Sequence, residues 1–176
     1  MMHRFTFLLC VLTLALSPFG LHAQSSSPIK AKVAEQLEAI QQDVMDLQNA
    51  VLAYHETGHC VGCQYKVSKL ENHIADIAWF LASEKPSYLR LHLAPSVNTL
   101  QTWLNEPDAV SNVHHVLGDL MTRSAYEFLL LGDVKWDASF WARAQDAWPR
   151  ERATLGLSAQ ALKRADRGFK KAVRGR

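Results

Sequence analysis

The run VAEQLEAIQQDVMDLQNAVLAY, from Val33 to Tyr54, decides the fold. Its apolar residues Val33, Leu37, Ile40, Val44, Leu47, Val51 and Tyr54 recur at alternating steps of four and three. That is the stripe of an α-helix with heptad regularity, and Gln, Glu and Asp fill the positions between. Most of the intervening residues are good helix formers suited to a solvated face. Such a stripe needs a partner, either in the same chain or in another. A second stripe follows at Val67, Leu70, Ile74, Ile77 and Leu81, and it extends backward in phase to Cys63 and Cys60. It is out of phase with the first, and Gly58 and Gly62 sit at the break, so the two stripes predict a helical hairpin.

Further helices are expected beyond Pro86, which ends the second one. Tyr88 to Leu93 alternates like a strand, but a lone strand has no partner, so a connector or helix is expected there. Val97, Leu100 and Leu104 mark one helix, and Pro107-Asp108 the start of another that runs through Val113, Leu117, Leu120 and Phe128 to Gly132. Trp136, Phe140, Trp141, Ala144 and Trp148 mark a short aromatic helix closed by Pro149, and the spacing of its tryptophans favours core packing. Ser158 to Val173 is the last helix. No repeat and no convincing strand is found, so the fold class expected is all-α: an irregular helical bundle with a long N-terminal helical hairpin.

The hairpin turn is the chemically densest part of the chain. Within Tyr54 to Cys63, His-Glu-x-x-His spans His55 to His59 and Cys-x-x-Cys spans Cys60 to Cys63. On a helix His55 and His59 would share a face, as two imidazoles on one tetrahedral zinc do. With uncharged Leu52-Ala53-Tyr54 before it, Thr57-Gly58 inside it and Cys60-Val61 after it, the stretch resembles the active-site helix of zincin metallopeptidases. That resemblance implies His55 and His59 as zinc ligands and Glu56 as the base that polarises a metal-bound water. It covers about a dozen residues, Tyr65 stands where the longer form of the motif has a third His, and no sheet precedes the helix. A further ligand would come from Glu71, His73, Asp76, His115 or Asp119.

Two readings without catalysis compete. His55, His59, Cys60 and Cys63 supply two nitrogens and two sulfurs, a set that suits structural Zn²⁺. Alternatively, Cys60 and Cys63 close on each other as a disulfide that pins the turn, the plain expectation for an isolated pair in an oxidising compartment. His114-His115, and His115 with Asp119 at helical spacing, read as a partly exposed helix face.

That compartment follows from the start of the chain. Arg4, an apolar run from Phe5 to Leu16 and a small-residue exit at Ala23 have the form of a secretory signal peptide over residues 1–23, cleaved near Ala23-Gln24. No later run is long enough to cross a bilayer. A helical domain is expected over 24–149 and a basic amphipathic tail over 150–176. The tail holds nine Lys/Arg against Glu151 and Asp166, whereas residues 24–149 hold nine basic and fifteen acidic residues. The overall charge of +2 therefore hides an acidic body and a basic end. Lys163, Arg164, Arg167, Lys170, Lys171 and Arg174 ride this last helix and would attract an anionic surface, either a membrane or an envelope polymer, or fold back on the acidic body. Nucleic acid is disfavoured as a partner outside the cytoplasm.

The expectation is an exported, periplasmic or secreted, helical cell-envelope interaction protein with a protein partner and a zinc-capable His/Cys cluster. The alternatives are a zinc metallopeptidase built on His55, Glu56 and His59, and a helical subunit of an envelope or secretion assembly whose first helix pairs with another chain.

Overall fold

A computed structural model describes residues 28–106, 112–129, 131 and 134–175 of the chain. Among these residues every regular element is helical and no strand occurs. The leader expected over 1–23 and the helix start expected at Pro107-Asp108 lie outside the described residues.

Helix α1 (Pro28–Thr57) is thirty residues long. Val33, Ile40, Val44, Leu47 and Val51 of the expected stripe are buried, and Leu37 and Tyr54 are partly so. The helix ends where Gly58 takes a left-handed conformation (φ 70°) and its N–H donates to the Tyr54 carbonyl at 2.7 Å. Gly62 repeats the left-handed step (φ 74°) directly before α2 (Cys63–Glu84). A Cβ at either glycine would meet nothing within 4 Å, so both are needed for their backbone angle rather than for space. The α1 and α2 helices pack on each other as the expected hairpin.

The α2 helix is the centre of the molecule. Val67 and Leu70 are buried, and from Ile74 to Ala82 only Asp76 escapes full burial. A helix that is apolar nearly all round belongs in a core, and α1, α4, α6 and α7 all pack against this one.

Lys85 caps α2, and Pro86 opens a continuous helical rod. The rod consists of α3 (Pro86–Tyr88), a π-helical stretch (Leu89–Leu93) and α4 (Ala94–Asn105). The strand-like alternation at Tyr88 to Leu93 has its cause here. Leu89 and Leu93 are one turn apart and buried, while Leu91 points outward at 68% exposure. Pro95 explains the wider turn. Lacking an N–H, it cannot bond the carbonyl four residues back, and the Ala94 N–H reaches five residues back to Leu89.

Helix α5 (Val113–Leu129) lies along α1 and α4 and buries Val113, Leu117 and Leu120. Asp137 starts α6 (Ala138–Glu151) by accepting from the Phe140 N–H at 3.0 Å. Pro149, expected to close this helix, lies inside it, and the helix runs on to Glu151. The α6 aromatic face meets α2: Trp79 stacks on Trp141 (5.8 Å between ring centroids) and Phe80 on Trp136 (5.2 Å). Trp141 and Trp148 are therefore core residues, and Trp136, just before the helix, packs partly buried against the core. A 3₁₀ turn (Arg152–Thr154) and Gly156 lead to α7 (Ala159–Arg174), which Ser158 caps by accepting from the Ala161 N–H.

Candidate functional site

The turn between α1 and α2 brings its residues together in sequence but only partly in space. Because α1 ends at Thr57 and Gly58 is left-handed, His59 has left the helix that carries His55 and Glu56. The shared helical face that the His-x-x-x-His spacing offers is thus not formed. His55, Glu56 and His59 are all exposed. Cys60 and Cys63 face each other with their Cα atoms 5.6 Å apart, inside the span a disulfide takes.

The residues weighed as a further ligand are committed elsewhere or stand apart. Glu71 Oε1 accepts from Gln101 Nε2 (3.0 Å) and from the Ser158 backbone N–H (2.7 Å). His73 Nδ1 lies 2.6 Å from Asp43 Oδ2. Asp76 is gripped by Arg164. His115 and Asp119 are exposed on α5, and it is His114 whose ring comes near His55, edge to face at 6.5 Å between centroids. Among the described residues no group of three or more His, Cys, Asp or Glu side chains is placed to hold a metal ion.

A second cluster, which the sequence reading missed, ties the hairpin together. Asp43 is buried on α1 at 2% exposure, and its two oxygens reach Lys69 Nζ (2.8 Å) and His73 Nδ1 (2.6 Å) on α2. The hydrogen bond to Asp43, followed by its charge, raises the Lys69 pKa above its ordinary value. A signal did exist. Gln36, Asp43 and Ala50 form a polar or small row one step from the apolar stripe, and Lys69 and His73 stand one turn apart on the facing helix.

The basic C-terminal helix is held against the acidic body. Ala161, Ala165 and Ala172 are buried, which lets α7 lie close along α2. Arg164 donates to Asp76 through Nε and Nη2, both at 2.7 Å, and this fork raises the Arg164 pKa above its ordinary value. Asp166 accepts from Trp148 Nε1 (3.1 Å) and from Arg152 Nε and Nη2 (3.0 and 2.7 Å), joining α7 to α6. Glu71 holds the first turn through Ser158.

Once Arg164 is committed inward, the other five cations named from sequence remain outside. Lys163, Arg167, Lys170, Lys171 and Arg174 are exposed, and none forms an ion pair with any described residue. At 3.6 residues per turn they occupy an arc of about 100° on α7. The result is a fixed row of positive charge along one edge of the bundle.

Comparison of the chain with protein-family models, with curated proteins and with solved structures finds no match in any of the three.

Proposed function

We propose that this is an exported helical protein of the cell envelope that docks on an anionic phospholipid surface through the outer face of α7. One observation supports the reading above others: five exposed cations share one arc of a helix that two ion pairs, to Asp76 and from Arg152, and the Glu71 carboxylate at its first turn hold on the bundle. A structural salt bridge would have used those charges, as Asp76 uses Arg164. Near an anionic membrane each Lys or Arg contributes about 1 kcal/mol. Five therefore suffice for reversible attachment without insertion, and the exposed arc carries no large apolar side chain that would insert. The bridge between Cys60 and Cys63 belongs to the same proposal as a structural pin, in keeping with an oxidising compartment. The test is co-sedimentation with vesicles of zwitterionic lipid with and without anionic lipid, comparing the native chain with one in which Lys163, Arg167, Lys170 and Arg174 are Gln.

A second reading, a subunit of an envelope assembly, draws on a different observation. Val61 and Tyr65 at the hairpin tip are 89% and 72% exposed, and Met45 and Leu52 are exposed on α1. An apolar tip of this kind suits a protein partner. Sedimentation that is concentration-dependent in the native chain, and not in Val61→Ser/Tyr65→Ser, would place self-association there.

A further inference from the structure

A cavity of about 320 Å³ opens where the first turn of α1, the middle of α2 and the last turns of α7 meet. Its walls are apolar, with Ile29, Val33, Ile77 and Trp79 among them. Two lysines join them: Lys32 from α1 and Lys171 from α7, both exposed and neither paired with an acid among the described residues. The one acid in the lining, Asp76, already has both oxygens bonded to Arg164. Among the described residues the cavity therefore combines apolar walls with two lysines that no acid neutralises.

Gly168 lines the same space. Its backbone is ordinary helix, and a Cβ there would make only a normal van der Waals contact, 3.5 Å from the Asp76 carbonyl. Neither φ nor packing demands glycine, and glycine inside a helix is less stable than alanine. What the missing side chain does is leave the cavity open.

We infer that this cavity binds one single-chain anionic amphiphile, a medium-chain fatty carboxylate, with the chain against Ile77 and Trp79 and the carboxylate between Lys32 and Lys171. The volume lies at the low end for ligand sites. That size suits one alkyl chain better than the two chains of a phospholipid. Charge selects the head, since an alkyl alcohol would leave both ammonium groups without an anion.

Calorimetric titration of the full chain with decanoate and with decanol tests this. Decanoate is expected to saturate one site with a Kd below about 1 mM, and decanol to bind at least about tenfold more weakly. Lys32→Glu/Lys171→Glu, which alters exposed side chains only, is expected to weaken decanoate at least about tenfold. Gly168→Leu, with helicity and melting checked by circular dichroism, is expected to abolish binding by filling the space. Absence of saturable decanoate binding to the native chain would overturn the inference. So would decanol binding as tightly as decanoate, or a charge-reversed variant that binds like the native chain. The membrane-docking proposal fails or survives separately, because Gly168→Leu leaves Lys163, Arg167, Lys170 and Arg174 in place.

Discussion

Replacing Asp43 by Ala should destabilise the hairpin more than any surface charge change in the molecule. The carboxylate is 2% exposed, and on the facing helix it accepts from the Lys69 ammonium at 2.8 Å and meets His73 Nδ1 at 2.6 Å. Each hydrogen bond to a charged group is worth about 1.5–3 kcal/mol. The stranded partners recover water, since Lys69 is 40% and His73 20% exposed, so the sum must be discounted. A net loss of about 2–4 kcal/mol is expected, or about 5–15 °C in Tm for a chain of this size. Asp43→Asn, which keeps one acceptor oxygen, should lose about half as much. Lys69→Met alone should cost about 1 kcal/mol or less because the lysine is largely solvated. Urea unfolding followed by circular dichroism at 222 nm reads all three, and the Asp43/Lys69 double-mutant cycle isolates the pair. An Asp43→Ala variant within about 0.5 kcal/mol of the native chain would refute the assignment of Asp43 as the polar tie between α1 and α2.

Tyr88 gives a pH-dependent outcome. Burial pushes its phenol up to about 12, with the hydrogen bond to Ser124 pulling the other way. A folded-state pKa above the ordinary value near 10 means stability that is whole below about pH 10 and lost as pH rises toward 12, about 3 kcal/mol in all. Tyr88→Phe should remove most of that slope from chemical-denaturation curves taken between pH 9 and 12. Glu71→Ala should cost about 2–3 kcal/mol by leaving the Gln101 amide and the Ser158 N–H without their acceptor. Hydrogen exchange should then quicken at the start of α7 before it does in α1. Cys60 and Cys63 should resist alkylation until reduced, and reduction should cost no more than about 2 kcal/mol because the closed loop is so short. Reduction also frees both thiols beside His55 and His59. The zinc reading then requires stoichiometric uptake by reduced, chelator-free protein that His55→Ala and His59→Ala each abolish, and the peptidase reading requires hydrolysis lost in Glu56→Gln with zinc retained.

The fold was legible wherever one apolar face repeats at helical spacing. Val33 to Val51 and Val67 to Leu81 predict the hairpin, and both glycines of its turn are recognisable from the phase break alone. The alternation at Leu89, Leu91 and Leu93 fits a strand and a helix alike, because a period of two and a period of four coincide over five residues, and the lack of a partner strand is what favoured a connector or helix there. The polar ties were harder. Asp43, Glu71 and Asp76 each look like ordinary solvated residues of a helix, and their roles depend on which helix lies opposite. The dense His/Cys turn drew attention through motif spacing, yet one left-handed glycine at 58 separates His59 from the helix of His55. The cationic helix, by contrast, was visible as a charge excess. What the sequence could not show was that Arg164 turns inward while five neighbours stay out.

Docking through α7 is decided by vesicle binding across a salt series. The native chain should partition onto anionic vesicles and not onto zwitterionic ones, and the binding should weaken steeply as salt rises past the level at which the Debye length falls below about 10 Å. Replacing Lys163, Arg167, Lys170 and Arg174 by Gln removes four charges at about 1 kcal/mol each, so the partition coefficient should drop about a thousandfold with the melting curve unchanged. A variant that binds as the native chain does, or binding that ignores salt, would rule out α7 as the docking face.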